Sequence, residues 1–144
     1  MTLSKNLTVI PEETFRGCAS LTSIQIPESV TRIEDDAFRE SGLTSITIPD
    51  GVTSIEECPF VDCPITQLTI PASVTDLWDN SLFTGGPLTD VTFLGDTDMD
   101  HVKNWVGSFL GRSVTIHAPA GSVIEGYVNR QISQGAKCTF APIS

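Results

Sequence analysis

A β-rich α/β solenoid, in which short coils stack to build one parallel sheet, is the fold class that three observations predict for this 144-residue chain. One phrase is written three times, as Leu21-Thr-Ser-Ile24-Gln-Ile26-Pro27, Leu43-Thr-Ser-Ile46-Thr-Ile48-Pro49 and Ile65-Thr-Gln-Leu68-Thr-Ile70-Pro71, at steps of 22 residues. Its fourth position continues as Ile24, Ile46, Leu68, Val91, Val114 and Cys138, with steps of 22, 22, 23, 23 and 24. A second phrase recurs between these, as Leu7-Thr-Val-Ile10, Val30-Thr-Arg-Ile33, Val52-Thr-Ser-Ile55 and Val74-Thr-Asp-Leu77. Self-similarity at a period of 20 to 29 residues is the mark of stacked units, none of which buries its apolar face alone.

Taken in order, each strand sends two apolar residues to one side, because side chains alternate along a strand. The second members are Ile26, Ile48, Ile70, Phe93, Ile116 and Phe140, and backwards Met1 and Leu3 fit the same two columns. That predicts about seven coils with strands about 4.8 Å apart. Five residues after the second phrase stand Phe15, Phe38, Phe60 and Leu82, a column expected to stack in the core beside a short turn of helix around Asp36-Ala37-Phe38.

Residues 1–94 are the regular repeats and 95–144 the irregular ones with a C-terminal cap, all within a single domain. Asp100 to Leu110 spaces Val102, Trp105, Val106, Phe109 and Leu110 as one helical face with acids at its start. Ser122-Val-Ile-Glu125 is a capping box. It opens a helix expected to turn Val123, Ile124, Tyr127, Val128 and Ile132 inward, with Gly135 as its stop and Lys137 to Ala141 as a closing strand.

The unit Leu-Thr-Ser-Ile-x-Ile-Pro-x-x-Val-Thr-x-Ile-x-x-x-Ala-Phe resembles the BspA-type leucine-rich repeat (LRR) family over residues 4–94, and Ala118-Pro-Ala-Gly-Ser122 before a helix resembles the ending of many members. The departures are Ser4 at the proline position, Leu82 at the phenylalanine position and the insertion near Trp105. The resemblance implies a right-handed leucine-rich-repeat solenoid, usually part of a larger bacterial or protist surface protein that adheres or binds other proteins. It offers no catalytic residues to transfer.

The formal charge of −10 disfavours nucleic acid or an anionic membrane and favours a basic protein surface. Glu12, Asp35, Glu57 and Asp79 share one column. There, repulsion of under about 1 kcal/mol per pair is offset by roughly 0.3 to 1 kcal/mol from backbone amides at the following turn. No apolar run spans a membrane, and Met1 to Ile10 lacks the plan of a signal peptide. The location expected is the cell surface or outside if the chain is a piece of a longer precursor, and the cytoplasm if Met1 is the true start. The chain enters midway through a unit, so its first coil is expected to be an edge that associates with upstream repeats, a partner or a second copy.

Of the four cysteines, Cys18 and Cys63 share a column and are expected as buried fillers two coils apart, beyond the reach of a bridge. Cys58 and Cys63 flank Phe60, and Cys138 faces the core; the spacing matches neither zinc ligation nor a secreted disulfide framework. Asp96-Thr-Asp98-Met-Asp100 begins like a calcium loop, but His101 replaces its glycine and Gly107 its glutamate, so no metal or cofactor is expected. His101 and His117 lie on different coils beside no nucleophile motif, and no catalytic residue is expected.

The most ordered surface is the concave sheet face. Partner-binding candidates there are Ser23, Gln25, Ser45, Thr47, Gln67, Thr69, Asp90, Thr92, Ser113 and Thr115. Such a face suits threonine on strand grounds alone, and also suits recognition of a protein or glycan. The reading is a non-catalytic binding module for protein–protein interaction or adhesion. The alternative is a structural or regulatory part of a surface, phage or mobile-element assembly, docked through its first coil and acidic flank.

Overall fold

The computed structural model describes residues 1–78, 85–97 and 113–144. Along them run β1 (Val9–Ile10), β2 (Arg32–Ile33), β3 (Ser54–Ile55), β4 (Gln67–Ile70), β5 (Asp76–Leu77), β6 (Asp90–Phe93), β7 (Val114–Pro119), α1 (Val123–Ser133) and β8 (Cys138–Ile143). Leu82, Asp79 and the expected helix around Trp105 lie outside the described residues.

The strands form two parallel sheets, β1-β2-β3-β5 and β4-β6-β7-β8, where one was expected. The extra sheet is made by the second phrase of each coil, expected only as a connection. Its threonine amides carry the coils together, Thr31 N to Thr8 O at 2.8 Å, Thr53 N to Thr31 O at 2.8 Å and Thr75 N to Thr53 O at 3.1 Å. The hydroxyls of Thr31 and Thr53 reach the same carbonyls at 3.2 Å, which gives threonine a reason to recur there. Conversely, the first phrase forms no continuous strand in the early coils. A parallel bridge between Thr2 and Gln25 and a bond from Thr44 N to Thr22 O at 3.2 Å join it there, and its regular ladder begins at β4.

Of the seven passes counted in sequence, the first is a single bridge and the last returns from a helix, leaving about five solenoid turns. The core fills from both sheets. Ile70, Phe93 and Ile116 come from one, preceded in the same column by Ile26 and Ile48, and Ile10, Ile33, Ile55 and Leu77 come from the other; all are buried. Each such side chain removed from water contributes about 1.5–3 kcal/mol. A turn links the phrases, with the amides of Val30, Val52 and Val74 bonded to the carbonyls of Pro27, Pro49 and Pro71 at 3.0–3.1 Å.

The aromatic column stacks as expected. Phe15 and Phe38 have ring centroids 5.2 Å apart, Phe38 and Phe60 5.7 Å, inclined by only 10° and 13°. The corner around it, however, is not a turn of helix. Glu13, Asp36 and Cys58 open it with φ of 55°, 52° and 56°, and Gly17, Glu40 and Asp62 close it with φ of 69°, 57° and 58°. A right-handed helix would point its amides along its own axis. The left-handed residues instead aim every second amide at the next coil: those of Glu13, Phe15 and Gly17 reach the carbonyls of Asp35, Ala37 and Arg39 at 2.8–2.9 Å. Asp36, Phe38 and Glu40 repeat this toward Glu57, Pro59 and Val61. Three residues per coil thus donate along a third ladder.

Helix α1 is capped as its sequence requires, with Ser122 Oγ accepting from Glu125 N at 3.2 Å and Gly135 ending it at φ 94°. Glu125 Oε2 accepts in turn from Gly121 N, at 2.6 Å. Its buried face is Ile124, Val128 and Gln131, with Tyr127 half-buried. Val123 and Ile132 are exposed, contrary to expectation, because the helix rolls its 124-128-131 stripe onto β7 and β8 and leaves those two on its flanks.

Candidate protein-interaction surface

Strands β4, β6 and β7 turn alternate residues outward, as their burial shows, and β8 begins the same way with Cys138 buried and Thr139 exposed. Along β4 and β6 the expected register holds, Gln67 beside Asp90 and Thr69 beside Thr92. At β7 it steps by two residues. Val91 pairs with Ile116, not Val114, and Asp90 pairs with Thr115, so His117 stands beside Thr92 where Thr115 was expected. A two-residue step leaves every side chain on its own face, so the column pattern hid it. From β7 to β8 the expected pairing returns, Thr115 beside Thr139 and Ile116 beside Phe140.

The outward rows therefore read Gln67, Asp90, Thr115, Thr139 and Thr69, Thr92, His117, Ala141. Ser23, Gln25, Ser45, Thr47, Gln67, Thr69 and Ser113 are exposed, and Asp90, Thr92 and Thr115 are partly covered. The early coils add a groove of about 320 Å³ lined by Gln25, Glu28, Thr47, Pro49 and the edges of Ile24 and Ile26. A carboxylate–imidazole contact interrupts this hydroxyl-rich face. His117 Nε2 lies 3.3 Å from Asp90 Oδ1, and Asp90 Oδ2 accepts from the Thr89 hydroxyl at 2.7 Å. The Thr89 bond, then the His117 bond, hold the Asp90 carboxyl below its usual range. Sequence inspection separated the two residues, because the pair exists only through the register step.

Within the acid column, one described carboxylate, that of Asp35, joins adjacent coils. Asp35 Oδ1 accepts from Glu57 N at 2.8 Å, and Glu34 Oε2, one residue before the column, accepts from Glu12 N at 3.2 Å. Asp96 Oδ1 accepts from Val123 N at 3.0 Å, which ties the start of the calcium-like segment to α1; Asp98, Asp100 and His101 lie outside the described residues. Among the described residues no group of three or more His, Cys, Asp or Glu is placed to hold a metal ion, and no helix is long and apolar enough to cross a membrane.

All four cysteines are free thiols. Cys63 is the buried filler expected, its thiol 3.0 Å from Phe38 O and 3.3 Å from Ser41 Oγ of the preceding coil. Cys18 is exposed, contrary to expectation. Burial pushes the thiols of Cys58, Cys63 and Cys138 up.

The family profile described as "BspA type Leucine rich repeat region" matches residues 2–105 in six copies. The chain belongs to the BspA-type leucine-rich repeat family. No curated protein matches it in sequence. The BspA-type match ends at residue 105, so the register step at β7, helix α1 and β8 lie beyond the matched repeats. LRR repeats of this kind form a protein-interaction module.

Proposed function

We propose that this domain is a non-catalytic module that binds a protein partner along the threonine face of β4, β6, β7 and β8 and the adjoining groove at Gln25 and Thr47. One observation carries the reading: outward residues on successive strands stand in fixed register while their neighbours form the core, so the face changes without disturbing the fold. BspA-type repeats are often carried on cell-surface proteins, which favours adhesion at a surface as the setting. The test is the triple change Thr47→Lys, Thr69→Lys and Thr92→Lys. Melting should stay within a few degrees of wild type, and capture of a protein ligand held by the wild-type domain should be lost. Capture that survives, and is lost instead on altering Lys103 and Asn104, overturns the assignment.

Docking within a larger assembly is the second reading. It rests on an apolar-walled groove of about 330 Å³ between Thr2, Leu3, Lys5 and residues 25–29, and on Met1, which is 69% exposed. Light scattering of the chain should then show association relieved by a polar cap over the first coil. A strictly monomeric chain at high concentration refutes it.

A further inference from the structure

We propose that the outer face of the first sheet binds an arginine-bearing segment of a partner protein, the guanidinium entering between Glu56 and Trp78. This surface lies on β1-β2-β3-β5 and is independent of the threonine face.

The repeat itself supplies the template. Arg32, Ser54 and Asp76 pair across β2, β3 and β5, and just past the end of each strand stand Glu34, Glu56 and Trp78. Each strand is thus a copy of its neighbour displaced by about 4.8 Å. On β2 the copy carries its own cation. Arg32 Nη2 lies 2.5 Å from Glu34 Oε1, and Arg32 Nε lies 3.6 Å from Glu56 Oε1, so one guanidinium bridges carboxylates on adjacent coils. One strand on, Ser54 takes the place of Arg32 and turns its hydroxyl to Asp76 Oδ2 at 3.4 Å. The residues flanking that place are Glu56 and Trp78. What Arg32 does for Glu34 and Glu56, a guanidinium from a partner does for Glu56 and Trp78.

The surface there opens into a groove of about 210 Å³ lined by Asp35, Glu56, Glu57 and Trp78. Trp78 is 43% exposed, and its indole N–H donates to Asp76 Oδ2 at 3.2 Å, which sets the plane of the ring. A guanidinium stacks flat on an indole while its edge donates to a carboxylate; an ammonium does the second but not the first. Charge favours the same occupant. Among the described residues, Arg32 is the only cation paired with any of Glu34, Asp35, Glu56, Glu57 and Asp76. Burial pushes the Glu56 carboxyl up against the pull of Arg32, and the charges of Asp35, Glu34 and Asp76 push it further. A second guanidinium relieves that repulsion.

The experiment is a titration of the full chain into fluorescein-labelled tri-arginine amide, followed by anisotropy at low salt, with tri-lysine amide alongside. Saturable binding is expected, at least about fivefold tighter for tri-arginine and weakened by salt. Ser54→Arg, which supplies the cation from within, and Glu56→Gln should each weaken tri-arginine about tenfold or more with melting unchanged, and Trp78→Leu should erase the preference over tri-lysine. If Trp78→Leu fails to fold, the first two variants decide. Absence of saturable binding overturns the proposal. So does equal affinity for both peptides with indifference to Ser54→Arg, which marks diffuse attraction to an acidic protein. A loss caused instead by Thr47→Lys places the binding at the groove beside the threonine face and overturns it as well.

Discussion

Phe38 occupies the centre of the aromatic column, fully buried with a stacked ring on either side, and its truncation is the sharpest test of how the coils hold together. Phe38→Ala removes a core ring, for which transfer and cavity terms together cost about 3–5 kcal/mol. It also breaks two stacks, each contributing about 0.5–1.5 kcal/mol beyond burial. Phe15→Ala breaks only one, at a site already slightly open to solvent, and should cost about 1 kcal/mol less. Phe38→Leu keeps an apolar filling and loses both stacks, so it isolates their share at about 1–3 kcal/mol. For a chain of this size each kcal/mol moves the midpoint by about 2–4 °C, so the combined cost of about 4–8 kcal/mol should lower the Tm of Phe38→Ala by about 8 °C or more. Circular dichroism melts with parallel urea titrations measure this. A fall in the urea slope for Phe38→Ala alone is expected too, since coils coupled only to their neighbours come apart where the coupling is cut. The stacking account fails if Phe38→Leu lies within about 0.5 kcal/mol of wild type, or if Phe15→Ala costs as much as Phe38→Ala.

In native protein a thiol reagent should modify Cys18 first and Cys63 and Cys138 only on unfolding, with four thiols counted at the end; a count of two overturns the assignment of free cysteines. Gly51→Ser should destabilise by about 1–3 kcal/mol although serine stands at the same column position in Ser29 and Ser73, because a Cβ at Gly51 would lie 2.3 Å from Glu28 O; a neutral change in urea midpoint would show that the coils spread at little cost. Asp90 has a depressed carboxyl in the fold, so its stabilisation is present above the ordinary aspartate range, near pH 4, and is lost as pH falls through its lower native value. Asp90→Asn should therefore flatten the dependence of melting temperature on pH below about 4, and an unchanged profile refutes a native role for the Thr89 and His117 bonds.

The columns were legible because burial imposes them. Ile33, Ile55 and Leu77 could be aligned by eye, since each must fill the same slot in a stack of near-identical layers. Which phrase would pair as a sheet was not legible, because both alternate apolar and polar residues. The choice is made by backbone bonds such as Thr53 N to Thr31 O, to which side-chain identity is nearly blind. The left-handed corners were hidden for a related reason. Glu13, Asp36 and Cys58 share a conformation but are three different residue types, none of them glycine, so the residue types do not announce a positive φ that the inter-coil amide bonds hold. The ten threonine-face candidates were found from alternation alone, and their orientation follows from it. The Asp90–His117 pair required a two-residue step in register, to which alternation is insensitive by construction.

That insensitivity bears on where specificity resides. A residue repeated down a column is explained by stacking: threonine at 31 and 53 satisfies a carbonyl, aspartate at 35 caps an amide, and phenylalanine at 38 and 60 fills the spine. None of these distinguishes one BspA-type coil from the next, so none by itself selects a partner. What a partner can recognise lies where a column breaks. Arg32 gives way to Ser54, Glu56 gives way to Trp78, and the neutral ladder at Thr92 meets His117. The first two breaks fall at one place on the first sheet and the third falls on the second. Two surfaces with different chemistry, one acidic and aromatic, the other neutral and hydroxyl-rich, therefore occupy opposite phrases of the same repeat. Because each is set by residues outside the core, selection can alter either one without loss of the stack.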